Sequence, residues 1–359
     1  MSAICDALGL EEQGIVHANE VGLRYVSDIN PGIRRLRRGK QFRYLDEDGN
    51  SITDAAVLAR ISKLAIPPAY TNVWICGSER GHLQATGRDA RGRKQYRYHV
   101  RWRRVRDQEK FGRVLDFAAR LPALRRCLRR DLKSGGLGRD KVLAVVVSVM
   151  AQTLIRIGNA GYESSNRSYG LTTLHKRHVE FIRSGRALFR FRGKGGRLNE
   201  IPLDDERLTK LLRHCRQLPG QPLFQYIDDD GQRQAVDSSL VNDYLRAAMG
   251  QEFTAKDFRT WGGTFAAISA LAATPLPEQP SERASVLMAA IKTVAANLHN
   301  TPTVCRNSYI HPTVLEAWAD GSLHGLLGHA LPSGVRQQEL AALRFLRRRL
   351  RRRRAQSTS

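Results

Sequence analysis

What most constrains the fold is a change of pattern near residue 106. Upstream, segments such as "FRYLDEDGNSI", "NVWICGS" and "HLQATGRD" are punctuated by Asp-Gly and Gly, as short strands joined by turns are. "TDAAVLARISKLA" reads as one helix among them. After "RWRRVRDQEKFGRVLDFAARLPALRRCLRRDL" the pattern lengthens into amphipathic runs, including "DKVLAVVVSVMAQTLIRIG" and "DERLTKLLRHCRQL". The expected fold class is α+β: a small β-rich domain over 21–106, then a mainly helical domain over 107–328. Residues 1–20 read as an N-terminal extension.

One strand pair interrupts the helices. "ALFRFRGKGGRLNEIPL" alternates, passes through Gly193-Lys194-Gly195-Gly196 and alternates again, which predicts a hairpin with Lys194 at its tip. "TPLPEQPSER", residues 274–283, reads as a surface loop. Seven arginines lie between 347 and 354, so 329–359 is expected to be a basic, mobile tail carrying no chemistry.

Charge narrows the partner. Lys and Arg number 59 against 34 Asp and Glu, giving +25, a surplus that suits a polyanion and points first to nucleic acid. No apolar run approaches the roughly 18 residues of a membrane span, and "MSAICDALGL" has an acid and no cationic leader, so a cytosolic location is expected. The five cysteines are far apart and form no Cys-x-x-Cys pair, as scattered reduced thiols would. His175 and His178 share "LHKRHVE" with Lys176 and Arg177 and have no third ligand nearby, so they read as structural or phosphate-facing.

Several residues are unusual for their surroundings. Arg156, in "LIRIGN", is expected at the end of an apolar helix, and Arg259, in "KDFRTWGGT", lies between Phe258 and Trp261; a charge there is costly unless paired or facing a ligand. Each alone is more often a structural ion pair. Tyr309, in "CRNSYIHP", follows a Thr-Pro helix start by about two turns; a free phenol has a pKa of about 10 and needs electrophilic help to act as a nucleophile. Attack on a phosphodiester also needs cations for the growing oxygen charge and an acid for the leaving alkoxide. With no carboxylate cluster to hold a metal, arginines and a lysine would have to supply both.

Arg156, Lys194, Arg259, a polar residue just before "TP" and Tyr309, in this order, resemble the catalytic set of type IB DNA topoisomerases of the small poxvirus-like kind, including bacterial members. "RIGNAGYESSNRSYGLTTL", "KDFRTWGGT" and "NTPTVCRNSYIHP" are similar to that family's catalytic blocks, and "QATGRDARGRKQYRYH" to its segment lying over DNA. The resemblance covers most of residues 20–325. Each motif is weak alone, and five in order are specific.

The resemblance implies a helical catalytic domain of the tyrosine recombinase and type IB topoisomerase kind, clamped with the β-rich domain around duplex DNA. It implies Tyr309 as nucleophile, Arg156, Arg259 and Asn300 as donors to the non-bridging oxygens, and Lys194 as the acid for the 5′ oxygen. Relaxation of supercoils of either sign through a 3′-phosphotyrosyl link then needs neither ATP nor metal nor any other cofactor. Arg93, Lys94, Gln95, Tyr96, Tyr98, Tyr162 and Lys256 are the implied DNA contacts, with Trp102 in the same aromatic and basic stretch. The implied protein is a nucleoid-associated monomer of bacterial type in the cytoplasm.

Two positions depart from the family pattern. Asn300 stands where many members have histidine, with His299 one residue earlier; asparagine can donate to an oxygen but cannot shuttle a proton. Asn159 stands where poxvirus enzymes have lysine. Tyrosine recombinases are the nearest alternative, but they usually show His-x-x-Arg where this chain has Lys256-Asp-Phe-Arg259, and they lack such a β-rich front half. A non-catalytic DNA-compacting protein would also explain the charge, without the ordered set.

Overall fold

The computed structural model describes residues 12, 14–39, 41–90, 92–159, 161, 163–164, 167–182, 185–250, 253–328 and 331–357. The chain divides into two compact units, Met1–Lys110 and Phe111–Ser359, a small β-rich region followed by a mainly helical one.

In the first unit, strands β1 (Ile33–Arg38), β2 (Gln41–Leu45), β3 (Thr71–Ile75), β4 (Leu83–Arg88) and β5 (Lys94–Tyr98) form an antiparallel sheet in the order β2-β1-β3-β4-β5. Helix α1 (Ala55–Lys63) starts where the Asp54 carboxylate accepts from the backbone N–H of Ala56 at 2.7 Å and of Val57 at 3.0 Å, a side-chain N-cap. Ile61 of α1 packs with Ile33, Val73, Ile75 and Ala85 of the sheet as the core. The β4–β5 turn is closed by Asp89, which accepts from the Arg93 N–H at 3.0 Å, and Gly92 supplies the left-handed residue with φ +73°. β5 is therefore an edge strand, and its burial alternates along Lys94–Tyr98.

Helix α2 (Val100–Asp131) begins in the first unit and runs into the second. It is followed by α3 (Arg139–Thr153), then by β6 (Val179–Ile182), β7 (Arg186–Arg192) and β8 (Leu198–Leu203), which form a three-stranded sheet in the order β6-β7-β8. The expected hairpin is β7–β8, and β6 adds a third strand to it. After α4 (Glu206–Gln217) come the two-stranded ribbon β9 (Gln225–Ile227) and β10 (Arg233–Ala235), and then α5 (Ser238–Met249). The remaining helices are α6 (Ala255–Ala272), α7 (Pro280–Asn297), α8 (Pro302–Ser308), α9 (Pro312–Ala319), α10 (Ser322–Leu327) and α11 (Val335–Ser357). Val142 to Val147 of α3 are all buried, so α3 is hydrophobic all round and forms the centre of this unit.

Three expectations are corrected. The surface loop is shorter than 274–283, because Pro280 takes the first position of α7, where its missing N–H costs nothing. Trp102, grouped by sequence with groove-facing aromatics, is 7% exposed and packs with Ala18 and Leu23 in the first unit. Residues Val335–Ser357 of the supposed mobile tail are helical. Ala342, Leu343, Phe345 and Leu346 are buried in the helical unit's core, and Arg349 and Arg353 pair with Asp320 and Glu316. Apolar residues one turn apart anchor the segment, and its arginines occupy the remaining faces.

Candidate active site

Arg156 reaches its position because α3 stops early. Leu154 adopts a left-handed backbone (φ 52°), and the chain leaves the helix there, so Arg156 lies beyond the helix rather than on its last turn. The segment after Leu154 is locked to the chain that returns past it. Leu171 N–H donates to Arg156 O at 2.7 Å, and Thr172 N–H donates to Ile157 O at 2.6 Å. The two segments pass so closely that a Cβ on Gly170 would overlap the Gly158 backbone, which explains the glycines of "RIGN" and "YGLTT".

Arg259 sits in the first turns of α6 and is 5% exposed. Burying a guanidinium without partners is costly, and here two helix ends supply them. One arm donates to Leu154 O at the end of α3, and Nη2 donates to Leu298 O at 2.7 Å at the end of α7. The end of α7 is a Schellman turn: His299 N–H donates to Ala296 O at 3.0 Å, Asn300 N–H donates to Ala295 O at 2.9 Å, and His299 is left-handed with φ 48°. This turn aims Asn300 at Arg156, whose Nη2 donates to Asn300 Oδ1 at 2.6 Å. The bond fixes the amide orientation, and Asn300 Nδ2 is left buried with no partner among the described residues.

Tyr309 follows α8, which opens with Thr301 accepting from the Val304 N–H at 3.3 Å and with Pro302 at the first helical position. At the C-cap the backbone turns, and α6 holds it: Thr264 Oγ1 donates to Tyr309 O at 3.1 Å and accepts from the His311 N–H at 3.0 Å. A Cβ on Gly263 would stand 2.8 Å from Tyr309 O, and one on Gly262 would stand 2.7 Å from a Leu154 methyl. The "WGGT" that follows Arg259 thus admits Tyr309 on one side and Leu154 on the other. These supporting contacts were not foreseen, although the paired glycines inside a helix were a visible signal.

The electrostatics of the cluster act on Tyr309. The Arg259 guanidinium carbon lies 5.0 Å from the Tyr309 ring centroid. Burial pushes the phenol up, but the charge of Arg259, and then those of Arg156 and Lys194, outweigh it and hold the phenol below its ordinary pKa. Arg259 is itself pulled below its usual value, first by burial and then by Arg156. His299 is lowered by burial and then by the same two arginines, which keeps its imidazole neutral. Lys194 is exposed at the β7–β8 tip, where Gly195 and Gly196 both have positive φ. Five residues picked from sequence, Arg156, Lys194, Arg259, Asn300 and Tyr309, therefore belong to one neighbourhood.

The other expected residues lie elsewhere or are only partly available. On β5, Tyr96 and Tyr98 are exposed and stacked on one another, with centroids 6.0 Å apart. Lys94 pairs with Asp28 at 2.5 Å, and Arg93 and Gln95 both donate to Asp89 Oδ2, at 2.8 and 3.0 Å. Lys256 is exposed at the start of α6. Tyr162 lies outside the described residues. His175 and His178 are structural: His175 Nε2 meets Glu163 Oε1 at 2.8 Å, and His178 Nδ1 accepts from the His175 N–H at 3.0 Å. Cys76, Cys127, Cys215 and Cys305 are free thiols. Among the described residues no three of His, Cys, Asp and Glu converge as a metal-ligand set, and no helix is long and apolar enough to cross a membrane.

A half-buried phenol of lowered pKa beside guanidiniums, an amide donor and an ammonium is equipped to take part in transfer of an anionic ester to a tyrosine. The sequence comparisons name the family. The model of "Eukaryotic DNA topoisomerase I, catalytic core" matches residues 99–323, and that of "Bacterial DNA topoisomerase IB, N-terminal domain" matches residues 41–89. A DNA topoisomerase 1B of Acanthamoeba polyphaga mimivirus is 33% identical over 294 residues, 80% of this chain and 87% of that protein. A DNA topoisomerase I of monkeypox virus and a DNA topoisomerase 1B of vaccinia virus (strain Copenhagen) are each 24% identical over 243 residues, 65% of this chain and 72% of theirs. The chain belongs to the type IB DNA topoisomerase family.

Proposed function

We propose that this chain relaxes positive and negative DNA supercoils by transient cleavage of one strand, without ATP or metal. The observation that carries the reading is the Tyr309 phenol, held below its ordinary pKa in spite of burial by Arg259, Arg156 and Lys194.

The Tyr309 oxygen attacks the scissile phosphorus and loses its proton to solvent as the new P–O bond forms. The bond to the 5′ oxygen breaks, Lys194 gives that oxygen a proton, and a 3′-phosphotyrosyl link with a free 5′-hydroxyl strand results. Arg156, Arg259 and Asn300 Nδ2, which has no partner among the described residues, donate to the non-bridging oxygens as charge grows on them, where one aimed donor is typically worth ~10²-fold or more in rate. One phosphoester replaces another, so the step runs backwards as readily, and rotation of the free end before resealing removes supercoils. The neutral His299 is not needed as the proton donor on this reading.

Tyr96 and Tyr98, exposed beside Lys94 on the edge strand β5, are the contacts of the first unit with duplex DNA; Lys256 adds a phosphate contact in the second. Arg93 and Gln95 position this stretch through Asp89, and reach DNA only if they exchange that partner. The protein acts as a monomer on nucleoid DNA in the cytoplasm. The test is a suicide duplex nicked just 3′ of the cleavage site: wild-type protein becomes covalently attached to the 3′ end and the Tyr309→Phe variant does not. Attachment to a 5′ end, or attachment by the variant, contradicts the reading.

A further inference from the structure

A second cationic feature lies in the helical unit and uses none of the residues placed around Tyr309. Helices α2 and α11 flank an open groove of about 200 Å³ with Ala118, Pro122, Leu340 and Leu343 as its apolar lining. Its rim carries Arg125, Arg126, Arg129 and Arg336 with a single acid, Glu339. Arg125 neutralises that acid at 2.6 Å. Arg126, Arg129 and Arg336 are exposed and pair with no acid among the described residues.

The cation row continues beyond the groove. Arg349 and Arg353 turn to Asp320 and Glu316, while Arg344, Arg347, Arg348 and Arg351 are exposed on the opposite, outward face and pair with no acid among the described residues. Arg336, Leu340, Arg344, Arg347 and Arg351 recur at three- to four-residue spacing, so they share one stripe of α11. At ~1.5 Å of rise per residue the stripe is on the order of 22 Å long. Self-repulsion among so many guanidiniums destabilises the fold unless an anion relieves it.

We infer that the α2–α11 groove and the arginine stripe of α11 bind the sugar-phosphate backbone of duplex DNA as an accessory site. The chemistry fits each part. Guanidinium forks take phosphate oxygens, and an apolar lining between them suits the carbons of deoxyribose. A linear polyanion also fits a linear stripe of cations, which one small anion would leave mostly uncompensated. The inference rests on DNA being the partner, as proposed above, and is independent of the chemistry of Tyr309.

The test therefore uses Tyr309→Phe protein, in which binding can be measured without cleavage. Duplex affinity is measured across a salt series with and without Arg126→Gln, Arg129→Gln and Arg336→Gln together. Each lost phosphate contact lowers the slope of log K against log salt by ~0.9, so a drop of about 2–3 is expected. Lysine at the same three positions should restore most of the slope, because it keeps the charge. An unchanged slope in the glutamine variant overturns the inference. So does a variant that loses affinity for inorganic tripolyphosphate but not for the duplex, since the groove is then a small-anion site. A second variant, with Arg344, Arg347, Arg348 and Arg351 changed to glutamine, should lower the slope further when combined with the first; no added effect removes the stripe from the site.

Discussion

The Arg259 guanidinium carbon stands 5.0 Å from the centroid of the Tyr309 ring, and the same arginine donates to the backbone carbonyls that end α3 and α7. One buried cation thus joins the segment carrying Arg156, the turn carrying Asn300 and the tyrosine. Position and charge are coupled in a single side chain.

Arg259→Ala removes both. Cleavage and resealing should each slow by ~10²-fold or more, the usual effect of losing an aimed donor. Arg259→Lys keeps the charge but cannot span two carbonyls with a planar fork, so it should recover only part of the rate. Single-turnover cleavage and religation assays check this, and a normal rate in either direction for the alanine variant contradicts the assignment.

The phenol's lowered pKa gives a pH signature. Arg259, Arg156 and Lys194 favour the phenolate, so removing any of them raises the Tyr309 pKa. The rising limb of single-turnover cleavage against pH should move to higher pH in Lys194→Ala, whose exposed position spares the fold. A limb that stays in place while the rate falls would leave Lys194 as a proton donor alone.

Asn300→Asp replaces an amide donor that has no partner among the described residues by an acceptor, while the carboxylate keeps its partner Arg156. Folding should survive and cleavage should fall by ~10²-fold. Comparable activity in the two proteins, read by the same cleavage assay, would mean that Nδ2 touches no reacting oxygen.

Gly263→Ala tests the packing beneath Tyr309. The new Cβ would stand 2.8 Å from Tyr309 O, and the backbone it meets cannot swing aside. Overpacking of this kind typically costs about 1–3 kcal/mol, and the displaced tyrosine should lose most of its cleavage rate. Thermal unfolding and strand cleavage measured together separate the two effects.

Much of the site was legible in the sequence because its residue types are unusual where they stand: arginine beside tryptophan in "DFRTW", a lysine in a glycine turn, a tyrosine after Thr-Pro. The β-rich front half was legible from its turns. What joins the site was not, because Leu154 O and Leu298 O are backbone atoms at helix ends, and any residue could supply them. α11 was masked by its own composition, since the arginines of 347–354 hide the apolar residues of 342–346 that dock it. Trp102 was misplaced because a basic run continues through a residue whose ring turns into the core.

Two buried histidines contribute to the loss of stability of the fold in acid. His178 and His311 are held down to about 4, chiefly by burial, and each accepts a backbone N–H at Nδ1, from His175 at 3.0 Å and from Thr313 at 3.2 Å. Their folded pKa lies below the unfolded value of about 6.5, so the unfolded chain binds more protons as pH falls. The stability they contribute is present above about pH 6.5 and is lost progressively down to about pH 4. His311→Asn keeps an N-cap acceptor without a titrating ring, and should flatten the fall in denaturation midpoint over that window.

The measurement that bears most directly on the whole account is relaxation of negatively and of positively supercoiled plasmid in EDTA without ATP, by wild-type and by Tyr309→Phe protein. The account predicts that the wild type relaxes both and the variant neither, although the variant binds DNA as tightly. Failure of the wild type to relax either plasmid while binding it, or relaxation by the variant, would contradict it.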